Sequence, residues 1–298
     1  MDTFKLNNDM QIPVMGYGSS IINNYVHDAR SLLRECKMRV TNKRQHRLNM
    51  ALSKCIDSAM KNHLYMFDTS RAYGHSETII GKTLKKYNRE EYFIVTKLCN
   101  QSQYSGDIRK ALEESLHKLN LDYVDMYLMH WPVTDIYLDS WKELEKLYEE
   151  KLCRAIGVCN CDIHHLKAIE NVADIKPAVN QIECHPLFTQ NEIREYCNVN
   201  DIKVMAYTPT ARMDERLKKT VLVPLSKKYN KSMAQIILRW HIQIGNIPIV
   251  NSNNEKHIYD NINIFDFYLT DEEIKSISAI NINSRLRYDP NNCDFRQL

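Results

Sequence analysis

The sequence is poor in glycine, with 7 in 298 residues, and no Gly-x-Gly-x-x-Gly motif follows its first predicted strand. That motif forms the phosphate-binding turn of Rossmann domains, so its absence weakens the prediction of an open, doubly wound sheet. No apolar run approaches the roughly 18 residues that a transmembrane helix needs. The segment 1–6 also lacks the apolar stretch of a signal peptide. We therefore expect a cytoplasmic protein that does not associate with membranes.

The sequence also has no large excess of one charge, because 40 basic and 37 acidic residues leave a net charge of +3. This balance argues against nucleic acid as a partner, since proteins that bind phosphate backbones usually concentrate basic charge. The nine cysteines are an odd number and scattered along the chain, which favours reduced thiols over a disulfide framework. No pair of Cys-x₂-Cys motifs has the spacing of a zinc site, so we expect no bound metal.

Short apolar runs alternate with amphipathic helical patterns along nearly the whole chain. Most of the runs are continuously apolar, which is typical of parallel strands buried on both faces. Eight strands alternating with helices predict an α/β protein of the (β/α)8 TIM barrel class. An open doubly wound sheet is the structural alternative. The eight predicted strands are Pro13–Gly18, Tyr65–Thr69, Tyr92–Lys97, Val124–His130, Ala155–Asn160, Ala178–Glu183, Lys203–Thr208 and Ile247–Val250.

We predict one domain over residues 1–298, with a small β-hairpin over residues 4–12 ahead of the barrel. A basic insertion at residues 27–47, which carries seven Lys/Arg and two acidic residues, interrupts the pattern after the first barrel strand. It is interpreted either as a solvated extra helix or as a lid or basic contact for an anionic ligand. Its position favours the face of the barrel on which active sites are built.

Four reactive side chains follow successive predicted strands: Asp68, Tyr73, Lys97 and His130. The ends of parallel barrel strands meet on one face, so these side chains are expected to converge. Tyrosine keeps its proton at neutral pH, and a nearby ammonium is expected to lower its pKa toward the working range. Together the four groups predict a proton-transfer site, in which Asp68 fixes Lys97 and His130 orients a substrate oxygen.

The sequence resembles the aldo-keto reductases. The resemblance implies the barrel fold, reduction of a carbonyl group by a nicotinamide cofactor, and Asp68, Tyr73, Lys97 and His130 as the catalytic tetrad. Trp131 is expected to line the substrate pocket, and a structural tryptophan beside Pro132 is the alternative. The matching segments are Gly16-Tyr17-Gly18, Phe67-Asp68-Thr69, Ala72-Tyr73-Gly74-His75-Ser76-Glu77, Thr96-Lys97, residues 122–125, His130-Trp131-Pro132, Ile156-Gly157-Val158-Cys159-Asn160 and Asn180-Gln181-Ile182-Glu183-Cys184-His185-Pro186.

A cofactor site is implied by the same resemblance. Asn160 and Gln181 match the amides that bind the nicotinamide carboxamide, and Tyr207 matches the aromatic residue that stacks on its ring. The implied cofactor contacts are Gly18, Ser19, Asp68, Cys159, Asn160, Gln181, Tyr207, Thr208, Thr210, Asn251, Ser252, His257 and Asn261.

The sequence departs from the family pattern at several of these positions. Cys159 replaces the usual serine and is a weaker donor. Asn251 and His257 replace the lysine and arginine that bind the 2′-phosphate of NADPH. NADPH is therefore the family default, and we hypothesise a weakened preference for it with NADH accepted.

We predict an NAD(P)H-dependent reductase acting on a small-molecule aldehyde or ketone, with the proton supplied by Tyr73. The alternative is a cofactor-binding regulatory or interaction module with little turnover, using the basic insertion as its partner surface. The four intact reactive residues favour the enzyme. Neither the physiological substrate nor the number of subunits follows from the sequence.

Overall fold

A closed barrel of eight parallel strands forms the centre of the protein in the computed structural model. The structure describes residues 2–20 and 42–296, and of residues 42–47 only the backbone. The strands follow one another in chain order around the barrel, and the last lies between the first and the seventh. The prediction of a (β/α)8 barrel is confirmed, and the open-sheet alternative is wrong.

Seven of the eight barrel strands lie within the predicted runs, and the strand Phe93–Leu98 extends one residue beyond its predicted run. The strands are β1 (Thr3–Lys5), β2 (Gln11–Pro13), β3 (Gly16–Gly18), β4 (Met66–Asp68), β5 (Phe93–Leu98), β6 (Met126–Met129), β7 (Ile156–Cys159), β8 (Val179–Glu183), β9 (Lys203–Tyr207) and β10 (Ile247–Val250). The helices are α1 (Asn42–Lys61), α2 (Ser76–Leu84), α3 (Asn100–Ser105), α4 (Ile108–Leu119), α5 (Tyr137–Glu149), α6 (Ile163–Val172), α7 (Asn191–Val199), α8 (Leu222–Tyr229), α9 (Met233–Gln243), α10 (Glu255–Ile262) and α11 (Asp271–Ser278).

The predicted β-hairpin is confirmed, since β1 and β2 pair antiparallel. It covers the end of the barrel at which the strands begin. Leu6 and Ile12 are buried in the same apolar cluster as the barrel interior. Asn7 donates a hydrogen bond of 2.9 Å to the carbonyl of Pro177, just before β8. With this end closed, the opposite end, where the strands finish, is left for a ligand.

The helices surround the barrel and bury a second, larger apolar layer. Trp141 of α5 and Trp240 of α9 are fully buried there, and aromatic side chains of this size dominate core energetics. Helices α2 and α4 approach so closely that a β-carbon on Gly81 would lie 2.3 Å from the carbonyl oxygen of Leu119. A side chain at position 81 would therefore push the two helices apart.

Helices α6 and α2 begin in different ways. Asp162 is the N-cap of α6 and forms a capping box with His165. Ser76 is the first residue of α2, and its hydroxyl forms a 2.7 Å hydrogen bond with the hydroxyl of Thr69 after β4.

The basic insertion predicted at residues 27–47 lies largely outside the described residues. Its last residues, from Asn42, form the start of α1. Among residues 2–20 and 42–296, no helix combines the length and apolar character that a bilayer-spanning segment requires.

Candidate active site

A buried lysine–carboxylate pair lies where β4 and β5 end. Nζ of Lys97 is 2.7 Å from both carboxylate oxygens of Asp68 and donates a further bond of 2.8 Å to the carbonyl of Thr69. Nε2 of Gln181, at the far side of the barrel, also donates to Asp68 at 2.8 Å. Burial by itself lowers the pKa of Lys97, but Asp68, with Tyr73 and Cys159, raises it above its ordinary value. The ammonium is therefore charged and fixed, as the sequence predicts.

Tyr73 lies above this pair, half-buried in the turn that follows β4. Nζ of Lys97 is 5.2 Å from the centroid of the Tyr73 ring, and the His130 ring is 5.8 Å away in an edge-on arrangement. Burial raises the pKa of Tyr73 above 10, and this effect outweighs the lowering caused by Lys97. The expected lowering of this pKa is therefore wrong, because removal from water destabilises the phenolate more than one ammonium stabilises it.

His130 follows β6 and is buried beside Tyr73. Burial, together with the charge of Lys97, lowers the pKa of His130 to about 3, so its imidazole is neutral at physiological pH. Its Nδ1 lies 3.5 Å from the hydroxyl of Ser70, and that hydroxyl already accepts a bond from the backbone N–H of Ala72. The Ser70 hydroxyl proton is free to point at Nδ1, and in that arrangement the imidazole carries its proton on Nε2.

The two amides predicted for the nicotinamide reach the same rim. Asn160 donates 3.0 Å to the carbonyl of His130 and accepts 2.7 Å from the hydroxyl of Tyr207. Gln181 uses its amide donor on Asp68, so its carbonyl oxygen remains to accept from a carboxamide. Tyr207 is half-buried at the end of β9, which leaves part of its ring for stacking.

Other predicted cofactor contacts surround this group. Cys159 is buried in the barrel interior, and burial raises the pKa of its thiol despite the nearby Lys97. Ser19 is bound by its backbone and its hydroxyl to the carbonyl of Asp68, at 2.8 and 3.0 Å. A β-carbon on Gly18 would lie 3.0 Å from Ile249, so glycine allows close packing at that point. The Ser19 hydroxyl is therefore occupied by the protein itself.

The loop after β9 holds Thr208 and Thr210. Thr208 has a φ of +53°, in the left-handed region, which a threonine seldom adopts. Backbone bonds from Ala211 to Thr208 and from Met213 to Thr210, both 2.9 Å, close the loop on itself. The structure therefore places both threonines at the rim beside Tyr207.

The residues predicted for the adenosine end lie beyond β10, at the start of α10. Asn251 is exposed and donates to the carbonyl of Ser20. Ser252 lies 3.4 Å from the ring of His257. Asn261 follows one turn further along α10. Neither predicted replacement supplies a permanent cation, in contrast to the charged Lys97 at the other end.

Trp131, predicted to line the substrate pocket, packs edge-on against Phe295 of the C-terminal segment at 5.3 Å between centroids. Phe295 in turn contacts Tyr288 at 5.5 Å. The indole nitrogen of Trp131 is buried without a hydrogen-bond partner. The C-terminal segment thus supplies an aromatic wall next to His130, with which Trp131 is stacked.

Known proteins resemble this chain over most of its length. The model of the Aldo/keto reductase family matches residues 40–282. Glyoxal reductase of Bacillus subtilis is 37% identical over 295 residues, which cover 99% of this chain and 98% of that protein. The 9,11-endoperoxide prostaglandin H2 reductase of Trypanosoma cruzi is 42% identical over 76% of this chain and 81% of that protein.

Solved structures show the same likeness. An aldo-keto reductase of Bombyx mori in complex with NADP superposes with a TM-score of 0.82 and 29% identity, covering 97% of this chain and 95% of that one. An aldo-keto reductase from a deep-sea metagenome has a TM-score of 0.84 and 31% identity, covering 98% of this chain and all of that one. The chain therefore belongs to the aldo-keto reductase family. It is an oxidoreductase that reduces carbonyl compounds with a nicotinamide cofactor.

Sequence reasoning missed several residues that the structure brings to the site. Thr69 contributes a backbone carbonyl to Lys97, Ser70 bonds the ring of His130, and Phe295 covers Trp131. The first two stand beside Asp68 in the sequence, so proximity to the predicted strand end was a usable signal. Phe295 is 164 positions from Trp131 along the chain, and no local pattern indicates that contact.

Proposed function

We propose that Tyr73 is the proton donor in reduction of an aldehyde or ketone to an alcohol. The single observation that carries this assignment is the cluster of Tyr73, Lys97 and His130 above Asp68, at the end of the barrel left uncovered by the hairpin. When bound, the nicotinamide supplies a hydride to the carbonyl carbon. Tyr73 gives its proton to the carbonyl oxygen, and its partial exposure allows a proton from water to replace the one lost.

The neighbouring groups support this step in distinct ways. Charged Lys97 stabilises the phenolate that Tyr73 becomes after donating. Neutral His130, with Nδ1 facing the Ser70 hydroxyl, directs its Nε2 proton to the carbonyl oxygen and positions it. Because His130 is neutral, it orients the substrate without competing as a proton source.

The residues at the nicotinamide end of the proposed site suit a bound cofactor, whereas those at the adenosine end suit it only in part. We propose that Gln181 accepts from the carboxamide, while Asn160 contacts it and Tyr207 stacks on the ring. At the far end, Asn251 and His257 supply no fixed charge to a 2′-phosphate, although exposed Lys256 lies next to His257. We therefore propose that NADPH is used and that NADH is also accepted.

We also propose a cytoplasmic location and a small-molecule carbonyl substrate. The eight cysteines that the structure describes are all unpaired and buried, which suits a reducing compartment. The interpretation as a module without turnover gains no support, because the four predicted catalytic side chains are present and gathered.

The substitution Tyr73→Phe tests the proton donor. It removes one hydroxyl and keeps the ring, so we expect carbonyl reduction to fall by about 10²- to 10⁴-fold while the cofactor still binds. Cofactor oxidation measured with an aldehyde, alongside fluorescence titration of the cofactor, gives both values. Tyr104→Phe is the matched control, because Tyr104 is an exposed tyrosine whose hydroxyl bonds the carbonyl of Asp294. Reduction by Tyr73→Phe at the unmodified rate would show that the donor is another group.

A further inference from the structure

The side chain of Asn160, which follows β7, joins two residues that serve different purposes in the proposed function. Its Oδ1 accepts a 2.7 Å hydrogen bond from the hydroxyl of Tyr207, whose ring is proposed to stack on the nicotinamide. Its Nδ2 donates a 3.0 Å bond to the backbone carbonyl of His130, whose imidazole is proposed to orient the substrate oxygen. The Tyr207 hydroxyl, the Asn160 amide and the His130 carbonyl together are called the Asn160 bridge.

The direction of both bonds follows from the chemistry of the three groups. A backbone carbonyl can only accept, so the atom of Asn160 that faces His130 is the amide nitrogen. The amide oxygen then faces Tyr207, which makes the phenol hydroxyl the donor. A flipped amide would bring two oxygens together at His130, and Asn160 is only 4% exposed, so water could not readily relieve that contact.

The backbone of Asn160 is anchored at the ends of two neighbouring strands. Its N–H donates a 2.9 Å bond to the carbonyl of Gln181 in β8. Its φ is +59°, in the left-handed region that asparagine tolerates better than most residues. The next residue, Cys161, donates 3.3 Å to the side-chain oxygen of Asn180 and accepts 2.8 Å from its nitrogen. The amide of the Asn160 bridge therefore extends from a fixed point.

The two ends of the Asn160 bridge are fixed in different ways. The backbone N–H of His130 donates a 3.0 Å bond to the carbonyl of Leu98 at the end of β5, so strand ends on both sides hold this residue. Tyr207 is half-buried at the end of β9, and its ring can turn about χ1 and χ2. Its hydroxyl lies on the χ2 axis, so the bond to Asn160 restrains χ1 and with it the position of the ring.

We propose that the Asn160 bridge positions the nicotinamide ring relative to the substrate carbonyl, with the Tyr207 hydroxyl and the Asn160 amide as its positioning groups. This inference rests on the proposed function. Displacement of reacting groups by about 1 Å can slow a reaction about 10²-fold, so a bond that fixes the ring should act on the rate. Stacking uses the face of the ring and not its hydroxyl, so cofactor affinity should depend little on the bridge.

Tyr207→Phe tests the proposal, because it removes the hydroxyl and keeps the ring. We expect the single-turnover rate of 4-nitrobenzaldehyde reduction by NADPH to fall about tenfold, and the Kd of NADPH to change by less than about twofold. Deuterium at C4 of the nicotinamide should slow the variant at least as much as the unmodified enzyme, which would assign the loss to the hydride step. Tyr127→Phe is the matched control, since Tyr127 is buried and its hydroxyl has no hydrogen-bond partner among the described residues.

A double-variant cycle tests whether the two side chains act through one bond. Asn160→Gly removes the amide and keeps the left-handed backbone accessible. Tyr207→Phe should then slow the Asn160→Gly enzyme by less than about twofold, because the bond it removes is already absent. Losses that multiply independently in the double variant would overturn the proposal.

The remaining outcomes separate this proposal from the proposed function. A single-turnover rate of Tyr207→Phe within about twofold of the unmodified rate would overturn the proposal, with or without weakened NADPH binding. Enzyme saturated with NADPH counts only folded protein, so lowered stability cannot imitate the loss. If the unmodified enzyme reduces no aldehyde, the proposed function fails. The fluorescence lifetime of bound NADPH then decides: a shorter lifetime in Tyr207→Phe supports positioning of the ring, and an unchanged one overturns it.

Discussion

The two ends of the proposed cofactor site are built in contrasting ways. At the nicotinamide end, Lys97 is fully buried and bonded to both oxygens of Asp68. At the adenosine end, Asn251 and His257 are exposed, and their hydrogen bonds to the described residues join them to neutral groups, the carbonyl of Ser20 and the hydroxyl of Ser252. The comparison shows where the fold itself fixes geometry: buried charges require partners, whereas exposed side chains are satisfied by water. We therefore expect substitutions at the first end to affect catalysis and folding together, and substitutions at the second to affect cofactor choice alone.

Removing the buried lysine should have the largest effect. Lys97→Met takes away the cation that stabilises the Tyr73 phenolate, so we expect the reduction rate to fall by about 10³-fold or more. It also leaves Asp68 buried without its cation, which should lower the free energy of unfolding by about 3–5 kcal/mol. Steady-state kinetics and urea unfolding measure the two effects.

A second substitution separates the two effects of Lys97→Met. Adding Asp68→Asn removes the unpaired charge, so the double variant should recover stability but not activity. If Lys97→Met retained both rate and stability, the contrast between the buried and exposed ends would fail.

Restoring cations at the adenosine end should have an intermediate effect. The pair Asn251→Lys and His257→Arg introduces two charges near the expected position of the 2′-phosphate. We expect the Kd for NADPH to fall by about tenfold or more, with the Kd for NADH and the kcat nearly unchanged. Fluorescence titration of both cofactors provides the measurement. The unmodified enzyme is expected to bind the two cofactors with similar affinity. A strong NADPH preference before substitution, unaffected by the two changes, would show that other groups bind the phosphate.

Substitution of a single buried histidine should have the smallest effect, and that effect is on how the free energy of unfolding changes at acidic pH. Burial lowers the pKa of His241 to about 3, of His130 to about 3 and of His165 to about 4. Below pH 6.5, near the ordinary pKa of histidine, these side chains bind protons in the unfolded chain but not in the folded one. Stability is therefore present above pH 6.5 and is lost as the pH falls, by about 1 kcal/mol per pH unit for each histidine.

Urea unfolding between pH 6.5 and 5 measures this slope. His241→Gln should reduce it by the share of one histidine. His257→Asn, which removes an exposed histidine at the adenosine end, serves as the control. An identical slope in His241→Gln and the unmodified protein would show that His241 does not titrate differently in the two states.

The sequence by itself determined the barrel and the four reactive side chains. Eight apolar runs alternating with helices leave few ways to bury every strand on both faces, and parallel strands that end on one face bring Asp68, Tyr73, Lys97 and His130 together. Only the tertiary structure decided the direction of the Tyr73 pKa shift, the Ser70 contact with His130 and the packing of Phe295 on Trp131. These depend on burial and on contacts between distant segments, such as the one that joins Glu183 to residues 286–287. No local pattern encodes such contacts, because they form only when the barrel closes and the C-terminal segment folds across its rim.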